Sequence, residues 1–337
     1  MRYRPLGRTG LQVSELGFGC GAVGGILVRG EQLTATRVVE RAIELGINYF
    51  DTARIYGDGA SETNLGLALQ ELGADVLVGT KVRLTAAEME CIHEAIVESA
   101  EGSLRRLGRE YVDLIQLHNA VGLLRQPERE WVGLGDLERV AQAFQTLQEQ
   151  GKVRFWGING LGETEALHQA VTSSGAYTIQ SCYNLLNPTA GVKAPPRFPF
   201  QDYQQLIDRA AGSQVGVIAI RVLAGGALSG TAERHLLGAD SVSPIASGRS
   251  YQEDVERARC FAFLVEDSYA GNLVEAAIRF AISKAELSTA LVGFSSLEQV
   301  EQAVACVQKG PLPAEALGRC KEVWASFAAD ESEENGI

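Results

Sequence analysis

The stretch IHEAIVESAEGSLRRLGREYVDLIQLH, residues 92–118, holds one whole unit of the fold. Ile92, Ile96, Ala100, Leu104 and Leu107 recur at helical spacing, so they form one inward-facing stripe of a helix. Gly108 follows, and glycine there can take the left-handed conformation that ends a helix. The run Asp113 to His118 is nearly continuous and apolar, the mark of a parallel strand covered by helices.

The same unit repeats outward from this stretch. Further strands are predicted at Leu16 to Cys20, Ile47 to Phe50, Val76 to Val82, Val153 to Ile158, Thr178 to Tyr183, Val215 to Val222 and Thr289 to Phe294. Helical stripes lie between them, such as Ala35-Val39-Ala42-Ile43, Leu65-Ala68-Leu69-Leu72, Val140-Ala143-Phe144-Leu147 and Val274-Ala277-Ile278-Ala281. Gly46, Gly73, Gly151, Gly175 and Gly212 stand where Gly108 does, after a helix and before a strand. Eight such units predict an α/β fold, the (β/α)8 TIM barrel. Arg2 to Ser14 reads as an N-terminal β-hairpin that floors the barrel. Residues 1–329 make a single domain and 330–337 an acidic C-terminal tail. Two insertions, Asn119 to Gly135 and Ala224 to Tyr251, follow strands. Both are therefore expected at the C-terminal face, where barrels bind substrates.

Composition narrows the function. The chain has 337 residues, 46% hydrophobic and 21% charged, enough for a real core. No apolar run reaches the roughly 18–20 residues of a membrane span, and Arg2, Arg4 and Arg8 have no apolar stretch behind them, unlike a signal peptide. The expectation is a cytoplasmic protein with no membrane partner. The net charge is −12, and without a Lys/Arg cluster the chain is not expected to bind nucleic acid. The six cysteines form no CxxC pair, so neither zinc nor a disulfide is expected. Nothing in the sequence specifies an oligomeric state.

Gly19-Cys20-Gly21-Ala22-Val23-Gly24 satisfies GxGxxG, the outline of a Rossmann phosphate loop. The third glycine of that motif should open a helix. Here Gly24, Gly25, Arg29 and Gly30 continue the loop, and the helical period begins near Leu33. The stretch fits a glycine-rich loop that lets a ligand approach closely.

Four polar residues fall at the C-terminal ends of adjacent strands: Asp51, Tyr56 five residues later, Lys81, and His118. Singly, each has an ordinary structural role, as a turn carboxylate, a packed ring, a paired lysine or a satisfied histidine. Together they suit carbonyl reduction. Hydride arrives at carbon, charge develops on oxygen, and a proton must reach that oxygen. A phenol with a pKa near 10 is a poor donor at neutral pH. The Lys81 ammonium is expected to lower the pKa of Tyr56. Asp51 would hold the ammonium, and His118 would orient the carbonyl.

The segments carrying this set resemble the aldo-keto reductase superfamily over nearly the whole chain. They are residues 46–62 (GINYFDTARIYGDGASE), 78–81 (VGTK), 111–118 (YVDLIQLH) and 151–157 (GKVRFWG). The opening, residues 3–14 (YRPLGRTGLQVS), is similar to bacterial members that include sugar dehydrogenases. The resemblance implies a metal-independent, NADP(H)-preferring oxidoreductase acting on a small carbonyl or sugar, with the tetrad on Asp51, Tyr56, Lys81 and His118. It places Asn159 and Gln180 at the nicotinamide carboxamide and Ile220 against the ring. Arg221, Leu223 and Gly225 would meet the pyrophosphate, and Gly293, Ser295 and Gln299 the adenosine end. Gly160 replaces the usual asparagine side chain. Gln299 replaces the usual arginine for the 2′-phosphate, which opens use to NAD(H). The superfamily also includes ion-channel β subunits, so the alternative is a non-catalytic, cofactor-binding regulatory barrel.

Overall fold

The computed structural model describes residues 1–334. A hairpin of β1 (Tyr3–Pro5) and β2 (Gln12–Ser14) leads into β3 (Leu16–Gly19), β4 (Tyr49–Asp51), β5 (Leu77–Val82) and β6 (Val112–Leu117). A two-residue ribbon, β7 (Val121–Gly122) with β8 (Val132–Gly133), precedes β9 (Val153–Gly160), β10 (Thr178–Cys182), β11 (Gly216–Ile220) and β12 (Leu287–Gly293). The eight strands other than the hairpin and the ribbon pair side by side, all parallel. β12 joins β3 to close the barrel. This is the (β/α)8 architecture expected from the repeating unit.

Strand residues alternate between the barrel interior and the helical ring. On β6, Ile115 and Leu117 pack outward into the main core, while Leu114 joins a separate interior cluster. That cluster unites Leu6, Leu11 and Val13 of the hairpin region with Tyr49, Leu114, Ile218 and Leu291 of the barrel wall. The hairpin therefore floors the barrel, as its sequence suggested.

Some local expectations shift. Asp51 lies inside β4, because its backbone pairs with Gly79. Lys81 lies inside β5, within the strand predicted at Val76 to Val82, opposite Gln116. Residues 22–30 are not all loop, since Ile26–Arg29 forms one helical turn entered through left-handed Gly25 (φ +85°). Gly212 ends the helix Leu206–Gly212 from within, and Gln214 takes the left-handed turn instead (φ +58°). The last helix, Ala314–Glu334, runs into the stretch read as an acidic tail, whose final residues, 335–337, lie outside the described residues.

Candidate active site

The four candidates for chemistry meet at the C-terminal mouth. Lys81 is only 2% exposed. Its ammonium donates to Asp51 Oδ1, to the Thr52 carbonyl (2.8 Å) and to Tyr56 Oη (3.3 Å). All three ammonium hydrogens therefore have acceptors. The second carboxylate oxygen, Asp51 Oδ2, accepts from Tyr49 Oη (3.0 Å) and Gln180 Nε2 (2.7 Å). The His118 ring stands edge-on to Tyr56, with centroids 5.9 Å apart.

The electrostatics follow from burial and charge. Burial alone would lower the Lys81 pKa, but Asp51 and Tyr56 outweigh it and raise the value. The ammonium stays charged. Removal from water raises the Tyr56 pKa; Lys81 pulls it down and Asp51 adds to the rise. This corrects the expectation of a lowered phenol, because the pull of the ammonium is present but smaller than the cost of burying a phenolate. Burial, and then the nearby Lys81 and Arg83 charges, push His118 well below its ordinary value. Its imidazole is therefore neutral at pH 7, and its Nδ1 is buried without a partner.

A cleft of about 540 Å³ opens from this mouth along the ends of β9–β12, and all nine residues assigned to the cofactor line it. Its polar groups fit a nicotinamide dinucleotide. Asn159 gives Nδ2 to the His118 carbonyl (2.9 Å), while its Oδ1 is buried and unpartnered. Gln180 spends Nε2 on Asp51, leaving its side-chain oxygen as an acceptor. Two acceptor oxygens suit the NH2 of a primary carboxamide. Arg221, itself in a left-handed conformation (φ +59°), gives Nη2 to the Ser243 carbonyl (2.5 Å) and keeps a buried, unpartnered Nε. At the far end, the Gln299 side-chain oxygen accepts from the Ser295 backbone N–H (2.7 Å), and Ser295 Oγ donates to the Gly24 carbonyl (2.5 Å).

Trp131 and Arg54, both in loops after strands, do not line the cleft. Trp131 instead lies under the Arg129 guanidinium, 4.2 Å from its centroid. Sequence reasoning missed three contributors. Tyr49 shares the inward face of β4 with Asp51, a placement that strand alternation alone would have revealed. Arg234 lines the cleft and donates to the Gly225 carbonyl (2.8 Å). Arg29 reaches the Leu237 carbonyl (2.9 Å from Nε), while Ala239 N–H bonds the Val23 carbonyl (3.2 Å). The two loops thus bridge across the cleft. No sequence signal marks a contact between residues so far apart in the chain.

The profile of the Aldo/keto reductase family matches residues 15–325, and the chain belongs to that family. Its members are nicotinamide-dependent oxidoreductases that interconvert carbonyls and alcohols. The chain is 28% identical to "L-galactose dehydrogenase" of Arabidopsis thaliana over 98% of this chain and 94% of that protein. It is 24% identical to "Probable voltage-gated potassium channel subunit beta" of the same plant, over 93% of each chain. Among solved structures, the holo form of aldo-keto reductase AKR11C1 from Bacillus halodurans superposes with a TM-score of 0.67 at 26% identity, covering 97% of this chain and 96% of that one. Among the described residues no helix is long and apolar enough to cross a membrane.

Proposed function

We propose that Tyr56 protonates the carbonyl oxygen of an aldehyde, ketone or aldose as hydride reaches the carbon, and acts as base in the reverse direction. The hydrogen-bonded line Asp51–Lys81–Tyr56 carries this reading. It is buried at its base and ends on a hydroxyl in the cleft wall. A nicotinamide dinucleotide held here would supply or accept the hydride. Asn159 and Gln180 would hold its carboxamide through their free oxygens, and Ile220 would pack against the ring. Arg221 and the loop at Leu223 and Gly225 would meet the pyrophosphate, and Gly293, Ser295 and Gln299 the adenosine. Neutral His118 offers one N–H to the carbonyl oxygen and sets its angle to Tyr56.

A raised phenol pKa suits this division of labour. In reduction Tyr56 starts protonated across the neutral range, and the negative charge developing on the substrate oxygen draws the proton off. The nearby ammonium stabilises the phenolate as it forms.

The adenosine end favours dual use of NADP(H) and NAD(H). Gln299 is uncharged and its oxygen is already engaged, so a 2′-phosphate meets no guanidinium from that position. The relative named for L-galactose supports a sugar or other hydroxylated carbonyl as substrate. The expected site of action is the cytoplasm.

The test mixes the protein with NADH or NADPH and a panel of aldoses and simple aldehydes, following the nicotinamide absorbance. Wild type turns over, and Tyr56→Phe loses about 10²-fold or more in kcat while binding cofactor as before. Equal turnover by the variant sinks the assignment.

A further inference from the structure

We infer that Tyr49 is a positioning residue, whose hydroxyl fixes the Asp51 carboxylate so that Lys81 is shared with Tyr56 instead of being drawn wholly onto Asp51. The inference rests on the role proposed for Tyr56.

Tyr49 is 1% exposed and sits two residues before Asp51 on the inward face of β4. Its hydroxyl is buried, and it donates to Asp51 Oδ2 at 3.0 Å. Burial first, then the Asp51 charge, raises its pKa, so it stays protonated and remains a donor.

The barrel keeps a slot for this ring. A methyl group at Gly79, on the next strand, would lie 2.5 Å from Tyr49 Oη. One at Gly17, on the strand before, would lie 3.2 Å from Tyr49 Cδ1 and 2.7 Å from Leu291. Both flanking strands thus carry no side chain where the ring lies. Below, the ring packs in the floor cluster with Leu6, Leu11 and Val13. A side chain held so tightly presents its hydroxyl at one point.

That point decides how the ammonium is divided. Asp51 Oδ2 takes two donors, Tyr49 and Gln180, while Oδ1 takes Lys81. With Oδ2 occupied, the ammonium meets one carboxylate oxygen and keeps two N–H bonds for the Thr52 carbonyl and Tyr56. The bond to Tyr56, at 3.3 Å, is the longer of those two, and it yields first when the carboxylate pulls harder. Without the Tyr49 hydroxyl, Oδ2 loses a donor and its charge turns toward Lys81. The ammonium moves off Tyr56, and the phenol holds its proton more tightly.

Tyr49→Phe removes one oxygen and leaves the ring in its slot. The expected result is an upward shift of about half to one pH unit in the limb of alcohol oxidation that tracks the Tyr56 phenolate. At neutral pH oxidation then slows about three- to tenfold. KM and cofactor affinity change less than about twofold, since Tyr49 does not line the cleft. An unmoved limb overturns the inference, whether kcat falls or not, because a purely structural role would leave the limb in place.

A second readout needs no turnover. The Tyr56 pKa is followed by NMR of protein carrying 13Cζ-tyrosine, with Tyr56→Phe identifying the resonance. An upward shift in Tyr49→Phe supports the clamp and an unchanged titration rejects it. This holds even where wild type proves inactive, so failure of the clamp and failure of the enzymatic reading stay separate.

Discussion

On the β4–β6 side of the cleft each charged group of the candidate catalytic set has partners; on the β9–β12 side buried polar atoms stand open. Lys81 has three acceptors and Asp51 three donors. Asn159 Oδ1 and Arg221 Nε have none. The difference separates two tasks. A group that moves a proton must hold its charge and position before the substrate arrives, because reorganisation during reaction is costly. A group that binds must keep hydrogen-bonding capacity in reserve. An unpaired buried polar atom is destabilising, and a ligand that satisfies it gains that free energy.

The sharpest way to break this contrast is to disrupt the paired charges of Lys81 and Asp51. Lys81→Met leaves Asp51 as a buried, uncompensated carboxylate. We expect loss of about 10³-fold in kcat and a stability loss of about 3–5 kcal/mol in denaturant unfolding. Adding Asp51→Asn should restore much of the stability but none of the rate. A single variant as stable as wild type would show the ion pair to be dispensable to the fold.

The open side should respond in affinity rather than rate. Gln299→Arg supplies a guanidinium at the adenosine end, and NADPH should gain about tenfold over NADH in KM. An unchanged ratio would place the 2′-position elsewhere. Asn159→Ala removes one carboxamide acceptor and should weaken cofactor binding about fivefold by fluorescence titration. Its loss of the bond to the His118 carbonyl gives a smaller effect on kcat.

The gentlest probe is pH. Reduction needs protonated Tyr56, whose pKa is raised above its ordinary value of 10, and neutral His118, whose pKa is well below 6.5. Neither group changes state between about pH 7 and 9, so kcat for reduction should vary less than about twofold there. It falls only as the pH rises through the Tyr56 value. A step near pH 7 would mean that an additional group titrates.

The sequence carried the barrel because hydrophobic period and helix-ending glycines report local structure, repeated once per unit. It brought the four candidates together on paper because Asp51, Lys81 and His118 lie in or just past the last residues of adjacent strands, with Tyr56 in the loop after β4, and parallel strands bring those ends together. What it could not carry are properties of assembled space. The sign of the Tyr56 shift depends on how much water the packed cleft excludes, a quantity no residue type encodes. The bridge from Arg29 to Leu237 ends on a backbone carbonyl, an acceptor that is alike at every position. Gln180 was placed correctly in the cleft, but its amide hydrogen turns to Asp51, a choice made by the neighbouring strands.

The hairpin floor has a consequence at the opposite end of the barrel. Leu6, Leu11 and Val13 seal the barrel beneath Tyr49, and Tyr49 touches Asp51. A leak there would admit water to the base of the ion pair, raise the local dielectric constant and weaken each Coulombic link between carboxylate, ammonium and phenol. The stopper at the start of the chain therefore helps set the acidity of a hydroxyl at the far rim.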